Sequence, residues 1–177
     1  SDWIARAEAI TTAQYTSSTE QGNALENLTR DLFNQCTCFK ATSEFKTELN
    51  QIDGLVIVNR YLKGNFFDEI GSSFYVECKN EKSTPKNAYI SKLLDVMGRA
   101  GCPFGVFVSK KSAPKTFRDI CHDIYLAHKR VIICISLSEI IEMLKNQENF
   151  MDLLHRKYIE VQHNANKNLK ELGIMQG

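Results

Sequence analysis

Asp53, Glu77 and Lys79 are the residues whose types and spacing could do chemistry in this chain. In the stretch Phe74-Tyr75-Val76-Glu77-Cys78-Lys79, an extended strand sends successive side chains to opposite faces. Tyr75, Glu77 and Lys79 therefore share one face, and Phe74, Val76 and Cys78 the other. One face is packed; the other carries a carboxylate beside an ammonium. Upstream, Asp53 stands at the mouth of Leu55-Val56-Ile57-Val58, a run apolar on both faces that reads as a strand covered on both sides. A charge at the entrance to a buried strand needs a reason. Either Glu77-x-Lys79 is an ordinary charge pairing on a solvent-facing strand, or these groups belong to one acidic site. Glu26 bears on the choice. It lies about one helical step, roughly 100°, round from Leu25 on a helix whose apolar stripe is Leu25, Leu28 and Leu32. It either flanks the core and reaches water or points into a shared site.

Other chemistries find no support in the residue pattern. There is no G-x-x-x-x-G-K-[ST] loop to cradle a nucleotide's phosphates. Gly98, Gly101 and Gly105 lack the G-x-G-x-x-G spacing of a dinucleotide fingerprint, and no G-x-S-x-G elbow occurs. The four histidines, His122, His128, His155 and His163, all fall in the later helical region, and nothing singles out a cysteine paired with one of them as a nucleophile. The six cysteines are Cys36, Cys38, Cys78, Cys102, Cys121 and Cys134. Cys36-Thr37-Cys38 is C-x-C, and only Cys121-His122 puts a second ligand type next to a thiol, so the spacing favours ordinary core cysteines over a zinc site.

The elements that must position the acidic residues follow from composition and periodicity. A chain of 177 residues with 43% hydrophobic content suits one globular domain. Net charge is +1, but from Lys79 to Arg118 nine basic residues face two acidic ones, a local balance of +7 that leaves −6 for the remainder. Such segregation suits a phosphate-bearing ligand, although basic runs commonly form solvated faces. No apolar signal segment opens the chain and no long hydrophobic run crosses it, which with unpaired thiols reads as a cytoplasmic protein that engages no membrane. A start at Ser1 rather than Met suggests a processed product or a domain of a longer protein. Helical spacing is expected over 2–13 and again from Ser18, where Ser18 and Gln21 fit a capping box. Cys36 to Ala41 reads as a short strand and Thr42 to Asn50 as a loop. Lys63-Gly64-Asn65 and Gly71-Ser72-Ser73 read as turns, so 51–79 forms antiparallel strands. From residue 74 onward, strand, helix (Ile90 to Met97), strand (Phe104 to Val108), helix (Pro114 to His128) and strand (Val131 to Ile135) alternate as βαβ units do. Ser136 or Ser138 caps a helix over Leu137 to Lys145, and a last helix runs from about Asn149 to Leu172. The sum is an α/β fold with a mixed central sheet of four to five strands flanked by helices.

These residues carry a resemblance. The opening Gly22-Asn23-Ala24-Leu25-Glu26-Asn27-Leu28 with Leu32-Phe33, then Asp53 at a strand start, then Glu77-Cys78-Lys79 on the next long strand, followed by helix, strand and helix, resembles the PD-(D/E)XK nuclease superfamily with its restriction-endonuclease-like fold. The likeness covers about 18–135, with 136–177 as a C-terminal helical extension of a single nuclease domain. The family's proline before the aspartate is replaced by Ile52, which removes no ligand.

The resemblance implies a metal-dependent endodeoxyribonuclease, the endonuclease domain of a restriction or antiphage defence protein. Phosphodiester hydrolysis requires neutralised phosphoryl oxygens and a nucleophilic water near neutral pH, and a hard cation on oxygen ligands supplies both. Asp53, Glu77 and the Cys78 carbonyl would hold Mg²⁺, with Mn²⁺ able to substitute. Lys79 would orient and help deprotonate water or stabilise developing charge. Glu26 would complete the acidic site or help hold a second ion, and products would carry 5′-phosphates. Lys82, Lys92, Lys110 and Lys111 are the candidate phosphate contacts on DNA. Cutting both strands favours a homodimer, and further domains of a longer chain are the other expected partner. A non-catalytic nucleic-acid-binding module on the same fold and an RNase are the alternatives.

Overall fold

The structure is a computed structural model and describes residues 2–46 and 51–164. Helices α1 (Asp2–Thr12) and α2 (Ser18–Gln35) precede strands β1 (Phe39–Lys46) and β2 (Gln51–Val58). A short helix α3 (Phe66–Ile70) interrupts the connection to β3 (Ser73–Lys79). Then follow α4 (Asn87–Ala100), β4 (Phe104–Ser109), α5 (Lys115–His128), β5 (Val131–Ser136), α6 (Leu137–Lys145) and α7 (Phe150–His163). The five strands lie in the order β1-β2-β3-β4-β5. β1, β2 and β3 run antiparallel, while β3, β4 and β5 are parallel, so the sheet is mixed as expected. Residues 165–172, the far end of the expected last helix, lie outside the described residues.

Helix ends follow local chemistry. Ser17, not Ser18, is the N-cap of α2: its backbone is extended and its hydroxyl accepts the Glu20 N–H at 3.1 Å. Glu20 reaches back to the N–H and hydroxyl of Thr16, at 2.9 and 2.7 Å. Gly101, at φ +69°, closes α4 in the left-handed conformation that an L side chain resists. Ser136 rather than Ser138 caps α6 in a reciprocal box with Glu139.

Two apolar cores sandwich the sheet. On one side α1, α2, α6 and α7 bury Leu25, Leu28, Phe33 and Leu154 against Phe74, Val76, Val106 and Ile133. On the other, α4 and α5 bury Leu93, Met97, Phe117 and Cys121 against Tyr75, Phe107 and Ile132. Phe33 is the hub that fastens α2, with edge-to-face contacts to Phe39, Phe74 and Phe150 at 5.6, 5.6 and 5.0 Å. Each such pair contributes about 0.5–1.5 kcal/mol beyond its buried area. Gly105 in β4 lets α4 settle onto the sheet, since a Cβ there would lie 2.6 Å from Met97 Sδ. No helix among the described residues is long and apolar enough to cross a membrane. All six thiols are free.

Three expectations need correction. β1 extends through Thr42 to Lys46, where a loop is expected, because it is an edge strand paired on one side with β2, and an edge tolerates polar residues that hide the alternation. β2 is not covered on both faces along its whole length: Val56 and Val58 are buried and Leu55 packs beside the α4 core, but Ile57 is 44% exposed, since α4 packs mainly on β3 and β4 and leaves that end of β2 open. β3, like β4 beside it, is covered on both faces. Its charged face is packed too, and the Glu77 side chain is 0% exposed.

Candidate active site

The parallel strands place Glu77 and Lys79 at the carboxyl end of β3, where α/β sheets bind ligands. Glu77 stands in register with Phe107 of β4, and Lys79 with Ser109. β2 and β3 pair up to Gly54↔Val76. Just beyond that pair Asp53 bends its carboxylate inward, and its Oδ2 accepts the Cys78 main-chain N–H at 2.7 Å. The side chain thus satisfies a strand donor that would otherwise be orphaned, and the carboxylate is locked to the strand that carries Glu77.

Lys79 joins the two acids. Its ammonium lies 2.8 Å from Glu77 Oε1, 3.0 Å from the Cys78 carbonyl oxygen and 3.7 Å from Asp53 Oδ2. Three oxygens therefore converge on one cation. Tyr89 of α4 presents its ring to the same ammonium at 5.3 Å and stacks on Phe107. Lys92, also from α4, reaches the same carboxylate, 3.0 Å from Glu77 Oε1 and 3.2 Å from Oε2. A fully buried carboxylate demands such compensation, because an unpaired charge at this depth is strongly destabilising.

The electrostatics follow from this crowding. Burial, and then the Glu77 charge, push the Asp53 carboxyl above its usual range, and Lys79, the Cys78 N–H and Lys92 do not cancel them. Burial alone would depress Lys79, but the charges of Asp53 and Glu77 outweigh it and the net shift is upward. Lys79 is accordingly an ammonium in this arrangement, a proton donor and charge partner rather than a base. Burial drives the Cys78 thiol far above its usual value, with Asp53 adding to the effect, so it is no nucleophile.

Glu26 lies across β3 from this cluster. It lines a cleft on the α2 side with Thr29, Thr42, Asp53 and Cys78. Asp53 is the link, since it borders that cleft and also faces Lys79. The N-terminal turn of α2 is tied to the site: the Gln21 side chain donates to the Asn80 carbonyl, and Asn80 Nδ2 donates to the Gln21 carbonyl at 2.5 Å. Of the expected phosphate contacts, Lys82 and Lys111 are exposed at the ends of β3 and β4. Lys110 instead donates to the Ile10 carbonyl at 2.9 Å, and burial, with the charges of Lys111 and Lys82 close by, holds it below its usual value. Lys92 stands in the site on Glu77. Sequence reasoning missed Tyr89, Lys92 as a partner of Glu77, and the Gln21–Asn80 tie. The i,i+3 spacing of Tyr89 and Lys92 was a signal that they share a face, but not that the face meets Glu77.

Among the described residues no three His, Cys, Asp or Glu side chains are grouped to hold a metal. The donor set that does exist is two carboxylates and a main-chain carbonyl, all hard oxygens already gathered round one positive charge. It fits Mg²⁺, which takes one or two carboxylates and keeps several waters, and it does not fit a soft metal.

Fold and site together define an α/β protein with a buried acid–lysine centre at the strand ends. No protein-family model matches the chain, and no curated protein matches it. Among solved structures it is similar to the DNA modification-dependent restriction endonuclease AspBHI, at 11% identity and a TM-score of 0.45. The match covers 93% of this chain and 41% of that one, so the chain spans less than half the length of that endonuclease.

Proposed function

We propose that the chain is a metal-dependent nuclease domain that hydrolyses phosphodiester bonds in DNA, of the kind that serves restriction or antiphage defence. The observation that carries the reading is the meeting of Asp53 Oδ2, Glu77 Oε1 and the Cys78 carbonyl oxygen on a single cation, the Lys79 ammonium. Asp53, Glu77 and Cys78 would hold Mg²⁺ or Mn²⁺, which when bound neutralises phosphoryl charge and makes water nucleophilic. The chain's own residues would do the rest. Lys79, kept protonated, turns its ammonium to the phosphoryl oxygens as negative charge develops there. Asp53, anchored on the Cys78 N–H, keeps its orientation while Lys79 moves. Glu26, across the cleft from Asp53, adds negative charge that favours a cation or takes a proton from water. Lys82 and Lys111 contact flanking phosphates, and Lys110 fixes the α1 end beside them.

The test is cleavage of plasmid and single-stranded DNA, with matched RNA alongside, in Mg²⁺, Mn²⁺ and EDTA, run beside Asp53→Ala and Glu77→Ala. DNA cleavage that needs the metal and both carboxylates is expected. Salt-dependent DNA binding without turnover would make the chain a binding module, and preferential RNA cutting would make it an RNase.

A further inference from the structure

We propose that Lys92 is a positioning residue of this site: it holds the Glu77 carboxylate by both oxygens, so that Glu77 keeps its orientation when Lys79 turns to substrate. This rests on the nuclease reading above. Glu77 is the most deeply buried charge of the cluster, and its two oxygens are served unequally. Oε1 accepts from Lys79 and Lys92, while Oε2 lies 3.2 Å from Lys92. If Lys79 leaves to meet a phosphate, Lys92 still spans both oxygens, and the buried charge is never stranded. Lys92 comes from α4, so Glu77 is held from a second element as well as by its own strand neighbour Lys79.

The helix is built to make that reach. Ile90, Leu93 and Met97 bury the apolar face of α4 against the sheet, and Gly105 brings β4 under Met97. Tyr89, one turn before Lys92 on the same face, carries the Lys79 ammonium on its ring and donates its hydroxyl to Glu81. One turn of one helix thus contacts both charged residues of the Glu77-x-Lys79 strand. Lys92 is part-buried and its ammonium is committed to both oxygens of Glu77, which leaves it poorly placed to serve as a phosphate contact.

Lys92→Met, Lys92→Gln and Lys92→Arg distinguish the roles, with steady-state cleavage in Mg²⁺ and the salt dependence of duplex DNA binding in EDTA as readouts. For a residue that holds a ligating carboxylate, kcat should fall roughly 10–100-fold in Lys92→Met with KM unchanged. Lys92→Arg, which can grip a carboxylate bidentately, should recover to within about fivefold. The metal-free salt slope should equal that of the parent. A raised KM with a slope smaller by about 0.9 would make Lys92 a phosphate contact and overturn the inference. So would a parental kcat in Lys92→Met. If Lys92→Met does not fold, Lys92→Gln decides by the same criteria. A parent that cuts nothing in Mg²⁺ or Mn²⁺ sinks the nuclease reading and this role with it, whereas the two outcomes above sink this role alone.

Discussion

Replacing Lys79 with methionine separates the position of a cation from the chemistry performed there. The ammonium sits within 2.8–3.7 Å of all three oxygens of the candidate metal site, so a bound divalent ion and Lys79 cannot both occupy that volume. At an effective dielectric of about 20, unit charges 4 Å apart interact by about 4 kcal/mol, and a dication doubles the repulsion. Most of that is relieved as the lysine swings toward water. A residual of about 1.4–2.8 kcal/mol would still appear as roughly 10–100-fold in affinity. Lys79→Met should therefore bind Mn²⁺ more tightly than the parent, by calorimetric titration without DNA, and yet fail to cut. Without metal the variant leaves Asp53 and Glu77 facing each other with Lys92 alone to offset them, so its Tm should fall. Mn²⁺ at about 100 times Kd should then stabilise it by about 2.7 kcal/mol, or roughly 5–11 °C for a chain of this size. Weaker or unchanged Mn²⁺ binding in a folded Lys79→Met protein would refute the reasoning, because the three oxygens would then not share the cation's position.

Three other outcomes are expected. Asp53 holds its proton more tightly folded than unfolded, so in the window above 3.8, its ordinary value, the native state binds more protons and this group's contribution to stability falls as pH rises. Asp53→Asn, which can still accept the Cys78 N–H, should raise Tm at pH 7–8 by a few degrees, with the advantage shrinking toward pH 4, while cleavage is lost; a lower Tm at pH 8 would contradict this. Gly105→Ala drives a methyl against Met97 Sδ, and because that side chain is flexible the cost should sit near 1 kcal/mol, the low end for overpacking. Denaturant unfolding should show it, and the penalty of Gly105→Ala should shrink when it is measured in a Met97→Ala background, where the clash is gone. The Lys82→Ala/Lys111→Ala double variant should reduce the slope of log K against log salt for metal-free duplex binding by about 1.8 in all, which gel-shift titrations across salt would read.

Much of the architecture was legible because it rests on short-range rules. The β4, α5, β5 and α6 segments announce themselves through apolar runs, helical spacing and the Ser136–Glu139 box, and the structure keeps those boundaries nearly to the residue. β1 was only half legible, since polar residues at a sheet edge look like a loop until a partner strand pairs with them. Coverage of β2 and β3 was misjudged for a related reason. Apolar content says what a strand can bury, but which strand lies beneath α4 depends on where the crossover lands.

Asp53, Glu77 and Lys79 could be chosen from the sequence by residue type, alternation and order alone, because strand periodicity fixes which side chains share a face whatever the rest of the chain does. The sequence also ruled out a phosphate loop, a dinucleotide fingerprint and a nucleophile elbow, which are local patterns. Only the tertiary structure decided that Asp53 closes on the Cys78 N–H, that Glu77 is wholly buried, and that Lys92 rather than Lys110 turns to the acids. Each of those contacts joins residues 15 to 100 positions apart. Nine cations spread from Lys79 to Arg118 look alike along the chain. They become a site residue, a helix anchor or an exposed charge when packing sets the distance to a carboxylate or a carbonyl, and Coulomb energy follows that distance rather than position in sequence.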